Sequence, residues 1–339
     1  MRPSRFPVLW FFVLTYVLQG VGHWVHFFVS RHIMAGVPAD ATPMRTWLTC
    51  AFYIINVGPS LAGLLLTVFL YGFPGVRRLA FQLSPWSVGG AWLLLAVCLL
   101  VVLPPGLFVL LSFVGLVIAL YLHGPRRWLL GQGWPMLAVC LLFPLGVIAL
   151  QRTILAALGG SVPPPSWQWS EYLYSAVIGG GFLGPGLCEE IGWRGFALPH
   201  LQRRYSALVS SLIIGLAWGF WHWPNYLIPG DSHWWLLLAL APIALATSVV
   251  FTWVYNSTGG SLFAVVLLHG AIYSASVFFP PTPDLGFSVR KEAVCLLTFA
   301  VICVGLVWRY GAANLSLRDR VVAHPPNNCV NRSGESGGI

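Results

Sequence analysis

Ten apolar runs separated by short polar stretches make up most of the chain. They fall near residues 7–29, 47–72, 86–103, 106–122, 134–155, 172–200, 206–226, 234–255, 261–279 and 291–310. About 20 apolar residues cross the hydrocarbon core of a bilayer as a helix. The pattern therefore predicts an all-α, polytopic transmembrane bundle of about 8–10 spans. The first run follows Arg2 and Arg5, as the apolar part of a signal peptide would. No A-x-A cleavage site follows it, and Trp24, His26, Phe27 and Phe28 continue it, so a retained span is expected. The runs on either side of Pro104 and Pro105 are short and read as two spans or as one re-entrant hairpin. Both readings return the chain to the same side of the membrane.

Residues 163–169, PPPSWQW, interrupt this pattern and mark an internal boundary. The expected organisation is a set of N-terminal transmembrane helices over 1–165, a site-bearing core over 166–280, and a last transmembrane helix over 281–310. After Tyr310 the chain turns polar, with Pro325-Pro326 and Asn327-Asn328. Residues 311–339 are expected to be a disordered cytoplasmic tail.

Composition narrows the class. Of 339 residues 58% are hydrophobic and 8% charged, whereas soluble domains carry about 25% charged residues. The net charge of +9 bears on topology. With the N-terminus inside, the inner loops and tails hold twelve arginines: Arg2, Arg5, Arg77, Arg78, Arg126, Arg127, Arg203, Arg204, Arg309, Arg318, Arg320 and Arg332. The outer loops hold five cations: Arg31, Arg45, Arg152, Arg290 and Lys291. The positive-inside rule then predicts both termini cytoplasmic, and the plasma membrane is the expected location. No basic run exceeds two residues, so the bilayer, not nucleic acid, is the expected partner. The seven cysteines are scattered without a CxxC pair, which argues against a disulfide framework or a zinc ribbon. Oligomeric state leaves no mark in the sequence.

Charge inside the apolar runs points to chemistry. The stretch 181–204, GFLGPGLCEEIGWRGFALPHLQRR, places Glu189, Glu190 and Arg194 in a segment apolar enough to enter a bilayer. A charged residue at membrane depth costs roughly 2.5–3.5 kcal/mol on insertion scales. Arg194 pairs with Glu190 at i,i+4, which leaves Glu189 without a local partner. Cys188, beside it, reads as a small packing residue. His222 and His269 also lie well inside apolar runs, where imidazole needs a hydrogen-bond partner. His23 and His26, at i,i+3 on the first span, read as an interfacial pair because no carboxylate lies nearby in sequence.

Depths along the helices are compatible with one site. The short turn near 203–206 joins the helix of Glu189 to that of His222. At 1.5 Å per residue the two lie roughly 20 and 25 Å from that turn. His269 is about 13 Å from the inner end of its own run, shallower by about 10 Å. Helix tilt or a sunken Asn256–Ser261 loop would close that difference. The expectation is convergence of Glu189, His222 and His269 within about 10 Å in a cavity open toward the inner leaflet. A carboxylate beside a histidine deprotonates water, and a further donor stabilises an oxyanion. The glycines at 179–181, 184 and 186, with Pro185, permit close helix approach and local unwinding.

These residues carry a resemblance. EEIGWR at 189–194 resembles the EExxxR motif of the CPBP family, which includes CAAX prenyl proteases and bacteriocin-processing enzymes. WGFWHWPN at 218–225 is similar to the family's second motif, and NSTGGSLFAVVLLHG at 256–270 to its third, in the same order. The resemblance covers about residues 170–280. It implies an all-helical intramembrane endopeptidase acting on prenylated or otherwise membrane-bound peptides. It also implies catalytic roles for Glu189, Glu190, Arg194, His222 and His269. The family has Asn or Asp four residues after the last histidine; Tyr273 stands there in this chain. Its phenolic O–H is a candidate oxyanion donor. Two histidines and a glutamate could hold zinc with one open position, and a metal-free, glutamate-activated water fits the sequence equally. Two other functions compete with proteolysis: a non-catalytic membrane scaffold or immunity factor of the same family, and a transporter. A transporter built on repeats would show a second EExxxR or a matching glycine-broken span, and none is found.

Overall fold

The computed structural model describes residues 6–32, 57–84, 134–177, 179–223, 236–279 and 289–323. The expected spans at 86–103 and 106–122 lie outside these residues, as does the tail beyond 323. Among the described residues the chain is all α-helical, with no strand. In chain order the helices are α1 (Pro7–His32), α2 (Gly58–Leu83), α3 (Trp134–Ala157) and α4 (Trp169–Val177). Next comes α5, assembled from the consecutive segments Phe182–Gly186, Leu187–Gly192, Trp193–Ala197 and Leu198–Leu201. Then follow α6 (Ala207–His222), α7 (Leu236–Ser257), α8 (Leu262–Phe278) and α9 (Val289–Tyr310). Among the described residues four stretches are long and apolar enough to cross a membrane: Pro7–Val25, Gly58–Leu83, Pro135–Ala157 and Arg290–Tyr310. The apolar helices α6 and α8 are shorter. The chain is thus an integral membrane helical bundle.

The bundle is built around α8. Residues Leu262, Ala264, Val265, Val266, Leu267 and Ala271 have no exposed surface. A helix apolar on every side belongs in the middle, and α8 packs against α3, α4, α5 and α7. By contrast, α9 shows Leu297, Val301, Val304 and Trp308 on its outer side, each at least two-thirds exposed. Such a stripe is a liability in water and ordinary against lipid. Ser206 and Ser261 cap the starts of α6 and α8, their side chains accepting from the backbone N–H of Val209 and Ala264.

Three boundaries differ from the sequence expectation. The run read as 47–72 continues as helix to Leu83, past a kink at Gly72 (φ 61°, ψ −155°). Pro74, just beyond, cannot donate the backbone bond that a straight helix would need there. Arg77 and Arg78 consequently sit on α2 instead of in a loop. The single run 172–200 is broken between α4 and α5, at the glycines. A Cβ on Gly181 would lie 2.5 Å from Ser274 Oγ and 2.6 Å from the Gly270 carbonyl, so glycine is what lets this turn press against α8.

Third, residues 311–323 are packed, not disordered. Leu315 is fully buried. The Arg320 guanidinium donates to the Gln202 carbonyl at 2.9 Å, and the Ala323 N–H to the Pro199 carbonyl at 2.9 Å. Asn256 and Gln202 exchange side-chain amide bonds at 2.8 and 3.1 Å, and Asn256 also donates to the Asn314 carbonyl. A polar segment is held here because it satisfies backbone groups left open at the end of α5 (the Pro199 and Gln202 carbonyls) and the start of α6 (the Ala207 and Leu208 N–H groups).

Candidate functional site

The local shape of α5 is unusual where the carboxylates sit. Leu187–Gly192 is regular α-helix, but Phe182–Gly186 before it and Trp193–Ala197 after it are π-helical. Pro185 removes a backbone donor within the first of these wide turns, and Gly184 has non-helical φ/ψ. Wide turns of this kind re-aim side chains and recur at functional sites. On its other side the segment meets α2 at glycine distance. A Cβ on Gly192 would lie 2.1 Å from the Pro59 carbonyl oxygen, and one on Gly63 would lie 2.8 Å from Gly192 Cα. Only paired glycines allow the two backbones to touch.

Glu190 and Arg194 form the buried centre, each with no exposed surface. Arg194 Nη1 donates to both Glu190 oxygens at 2.9 Å, and Nη2 reaches Ser248 Oγ on α7 at 3.3 Å. The guanidinium also lies over the Phe251 ring, 4.4 Å from its centroid, and 5.2 Å from that of Trp218. A desolvated cation gains appreciably from such ring faces. His269 on α8 completes the group, with Nδ1 2.7 Å from Glu190 Oε1. An ionised carboxylate can only accept, so Nδ1 carries the proton of that bond.

Glu189, 3% exposed, has different company. Trp218 Nε1–H donates to its Oε2 at 2.6 Å. His222 Nε2 stands 3.9 Å from the same oxygen, beyond direct hydrogen-bonding range. Trp218 links the two halves: its ring makes edge contacts with His222 and with His269, centroids 5.5 Å apart in each case. The site is thus two carboxylate–histidine pairs, Glu190–His269 and Glu189–His222, with an indole between them.

The sequence-predicted residues therefore come together, and the pairing that the sequence left open is Glu190 with His269 and Glu189 beside His222. The depth mismatch calculated for His269 is removed by the turn between α7 and α8. Asn256 is fully buried there and Ser261 is 1% exposed, so α8 begins inside the bundle. Tyr273, one turn beyond His269, is 48% exposed against 7% for His269. Cys188 donates weakly to the Leu183 carbonyl, as a packing thiol does. Sequence reasoning missed Trp218, Ser248 and Phe251 as functional neighbours. Trp218 had a usable signal, four residues before His222 and so on the same helix face. Ser248 and Phe251, on a distant apolar run, had none.

The exposed edge of the cluster is His222, whose side chain is 26% exposed. It ends α6 at the side opposite the Arg203–Arg204 turn. If that turn lies on the inner side, the edge faces the outer leaflet, which departs from the expected inward-opening cavity. Zinc does not suit the arrangement. Among the described residues no three His, Cys, Asp or Glu side chains gather to hold an ion. Both Glu190 oxygens are engaged by Arg194, and the Glu189 oxygen nearest a histidine is taken by the Trp218 donor.

Fold and site together define a helical membrane protein with a buried carboxylate–histidine centre. Residues 166–275 match the family model described as type II CAAX prenyl endopeptidase, Rce1-like. The CAAX prenyl protease 2 of Methanococcus maripaludis is 33% identical over 122 residues, which are 34% of this chain and 44% of that protein. The chain thus matches less than half the length of that relative. Over the matched segment the chain is similar to these proteins, and Glu189, Glu190, Arg194, His222, His269 and Tyr273 all fall within it.

Proposed function

We propose that the chain is an intramembrane endopeptidase cleaving membrane-associated peptides, with prenylated peptides as the substrate class suggested by its relatives. The observation that carries this reading is the 3.9 Å separation of Glu189 Oε2 and His222 Nε2 at the exposed edge of an otherwise closed cluster. Two polar groups at that spacing leave room for a bridging water, which this reading places there. Glu189 takes a proton from this water, the hydroxide adds to the scissile carbonyl, and the proton passes to the departing amine. Arg194 and Glu190 are positioning residues. Through Nδ1, Glu190 fixes the ring of His269, which lies edge-on to the indole that holds Glu189. Tyr273 is assigned to the oxyanion, as a half-exposed donor on the turn after His269. We further place the protein in the plasma membrane with both termini in the cytoplasm, on the arginine distribution.

The test uses purified full-length protein and two quenched, membrane-anchored peptides, one farnesylated and one acylated, with and without chelator. Wild type should cleave, Glu189→Ala should not, and both should accumulate equally in the membrane. Equal cleavage by the two proteins would rule out the carboxylate as the base. Loss of activity with chelator would overturn the metal-free route.

A further inference from the structure

A second cavity lies at the other end of α5, and none of Glu189, Glu190, His222 or His269 lines it. Its volume is about 380 Å³, within the range of small-molecule sites. The second half of α2, the end of α5, the α7–α8 turn and residues 321–323 form its walls. Leu79, Phe81, Phe196 and Pro199 make much of the wall apolar. Polar groups collect on one part of it. Tyr71 O–H and His200 Nε2 are bonded at 2.8 Å. Tyr255 is fully buried, accepts from Gln82 Nε2 at 3.3 Å, and keeps its own O–H to donate. Arg78 is exposed at the wall, and among the described residues no Asp or Glu lines the cavity.

The surroundings have one sign. Arg77, Arg78, Arg203, Arg204, Arg318 and Arg320 gather at this end of the bundle, against one acid, Asp319, among the described residues. Arg78 and Arg203 both act electrostatically on Tyr71. An arginine cluster where apolar helices end marks the headgroup level of a bilayer. From the apolar wall, the buried hydroxyl donor and the unopposed Arg78, we infer that this cavity binds an anionic amphiphile, a phosphate headgroup carrying an alkyl chain. The headgroup meets Arg78 and the Tyr255 hydroxyl, and the chain lies along Phe196 and Leu79. The inference is independent of the proteolytic reading, since no residue of that cluster takes part.

Thermal unfolding of the full-length protein in an uncharged detergent tests it. The probes are dihexanoyl phosphatidic acid, dihexanoyl phosphatidylcholine and inorganic phosphate. Phosphatidic acid should raise the melting temperature in a saturable way, the choline lipid much less, and inorganic phosphate not at all. Arg78→Gln should weaken the apparent affinity for phosphatidic acid about tenfold, the loss of one charge-assisted contact. Val322→Trp, which fills the cavity from an exposed position on its wall, should abolish the shift while leaving Arg78 in place. An equal shift with inorganic phosphate would reduce the site to an anion site and overturn the amphiphile. An equal shift with phosphatidylcholine would overturn the charge recognition. No shift with phosphatidic acid, or one unchanged in Val322→Trp, would overturn the site.

Discussion

Replacing Trp218 by phenylalanine removes one N–H and keeps an aromatic ring between two histidines. In the native protein that N–H is 2.6 Å from a carboxylate that is 3% exposed. It is the direct hydrogen-bond donor that the structure gives Glu189, because His222 stands off at 3.9 Å. A hydrogen bond to a charged group contributes roughly 1.5–3 kcal/mol. If Glu189 must be aimed at the water to act, that amount enters the barrier, and each 1.36 kcal/mol is a factor of ten. Trp218→Phe should therefore lower kcat about ten- to hundred-fold. The edge contacts of the ring with His222 and His269 survive the change, so KM and membrane accumulation should stay near wild type. The assay is steady-state cleavage of the membrane-anchored peptide, beside a melting curve of each protein. A wild-type kcat in Trp218→Phe, with the melting temperature unchanged, would show that the indole does not orient the base.

Arg194→Ala should lower the amount of protein in the membrane as well as activity, because breaking a buried ion pair costs about 3–5 kcal/mol; quantitative blotting of membranes beside Glu189→Ala checks it. Tyr273→Phe should slow cleavage about a hundred-fold if its hydroxyl serves the oxyanion, and an unchanged rate would leave the ring as packing. If wild type is inert while Tyr273→Asn cleaves, the natural chain is the non-catalytic scaffold or immunity factor of the competing reading. Deleting residues 311–339 should destabilise the protein, because the Gln202–Asn256 pair and the Pro199 carbonyl lose their partners within 311–323, whereas deleting 324–339 should leave the melting temperature nearly unchanged. Reporters fused at Met1 and Ile339 should both read cytoplasmic, and an external signal at either end would refute the assignment.

Much of this was legible because charge in lipid is conspicuous. Glu189, Glu190 and Arg194 stand out in an apolar run, and their spacing alone gives the Glu190–Arg194 bond seen at 2.9 Å. The helices were legible for the same reason, through run length. What was hidden depends on partners far away in sequence. Nothing near Ser248 or Phe251 signals that a guanidinium rests on them. Periodicity likewise cannot show that the Asn256–Ser261 turn is buried, and the 10 Å mismatch for His269 follows from assuming that it was not. Polarity misled at 311–323, where a segment without apolar runs is ordered by backbone hydrogen bonds to helix ends. The α4–α5 break lies in an apolar stretch, so hydropathy passes over it, and only the run of glycines hints at the turn.

The two adjacent carboxylates look equivalent in sequence and are made unequal by what the fold packs on each. Glu190 is saturated: one guanidinium nitrogen bonds both its oxygens, an imidazole bonds one of them, and no surface is left. A group so engaged cannot turn toward a new partner without breaking the ion pair that makes its burial tolerable. Glu189 has one strong donor on one oxygen and a histidine just out of reach. It alone of the pair borders the exposed edge. The division follows from the helix geometry, since residues one apart point about 100° from each other. One therefore faces α7 and α8, with Ser248, Phe251 and His269, and the other faces α6, with Trp218 and His222. An anchored carboxylate behind a less encumbered one is the arrangement that the proposed water activation would use. The first carries the cation that makes buried charge tolerable, and the second keeps its capacity for the proton.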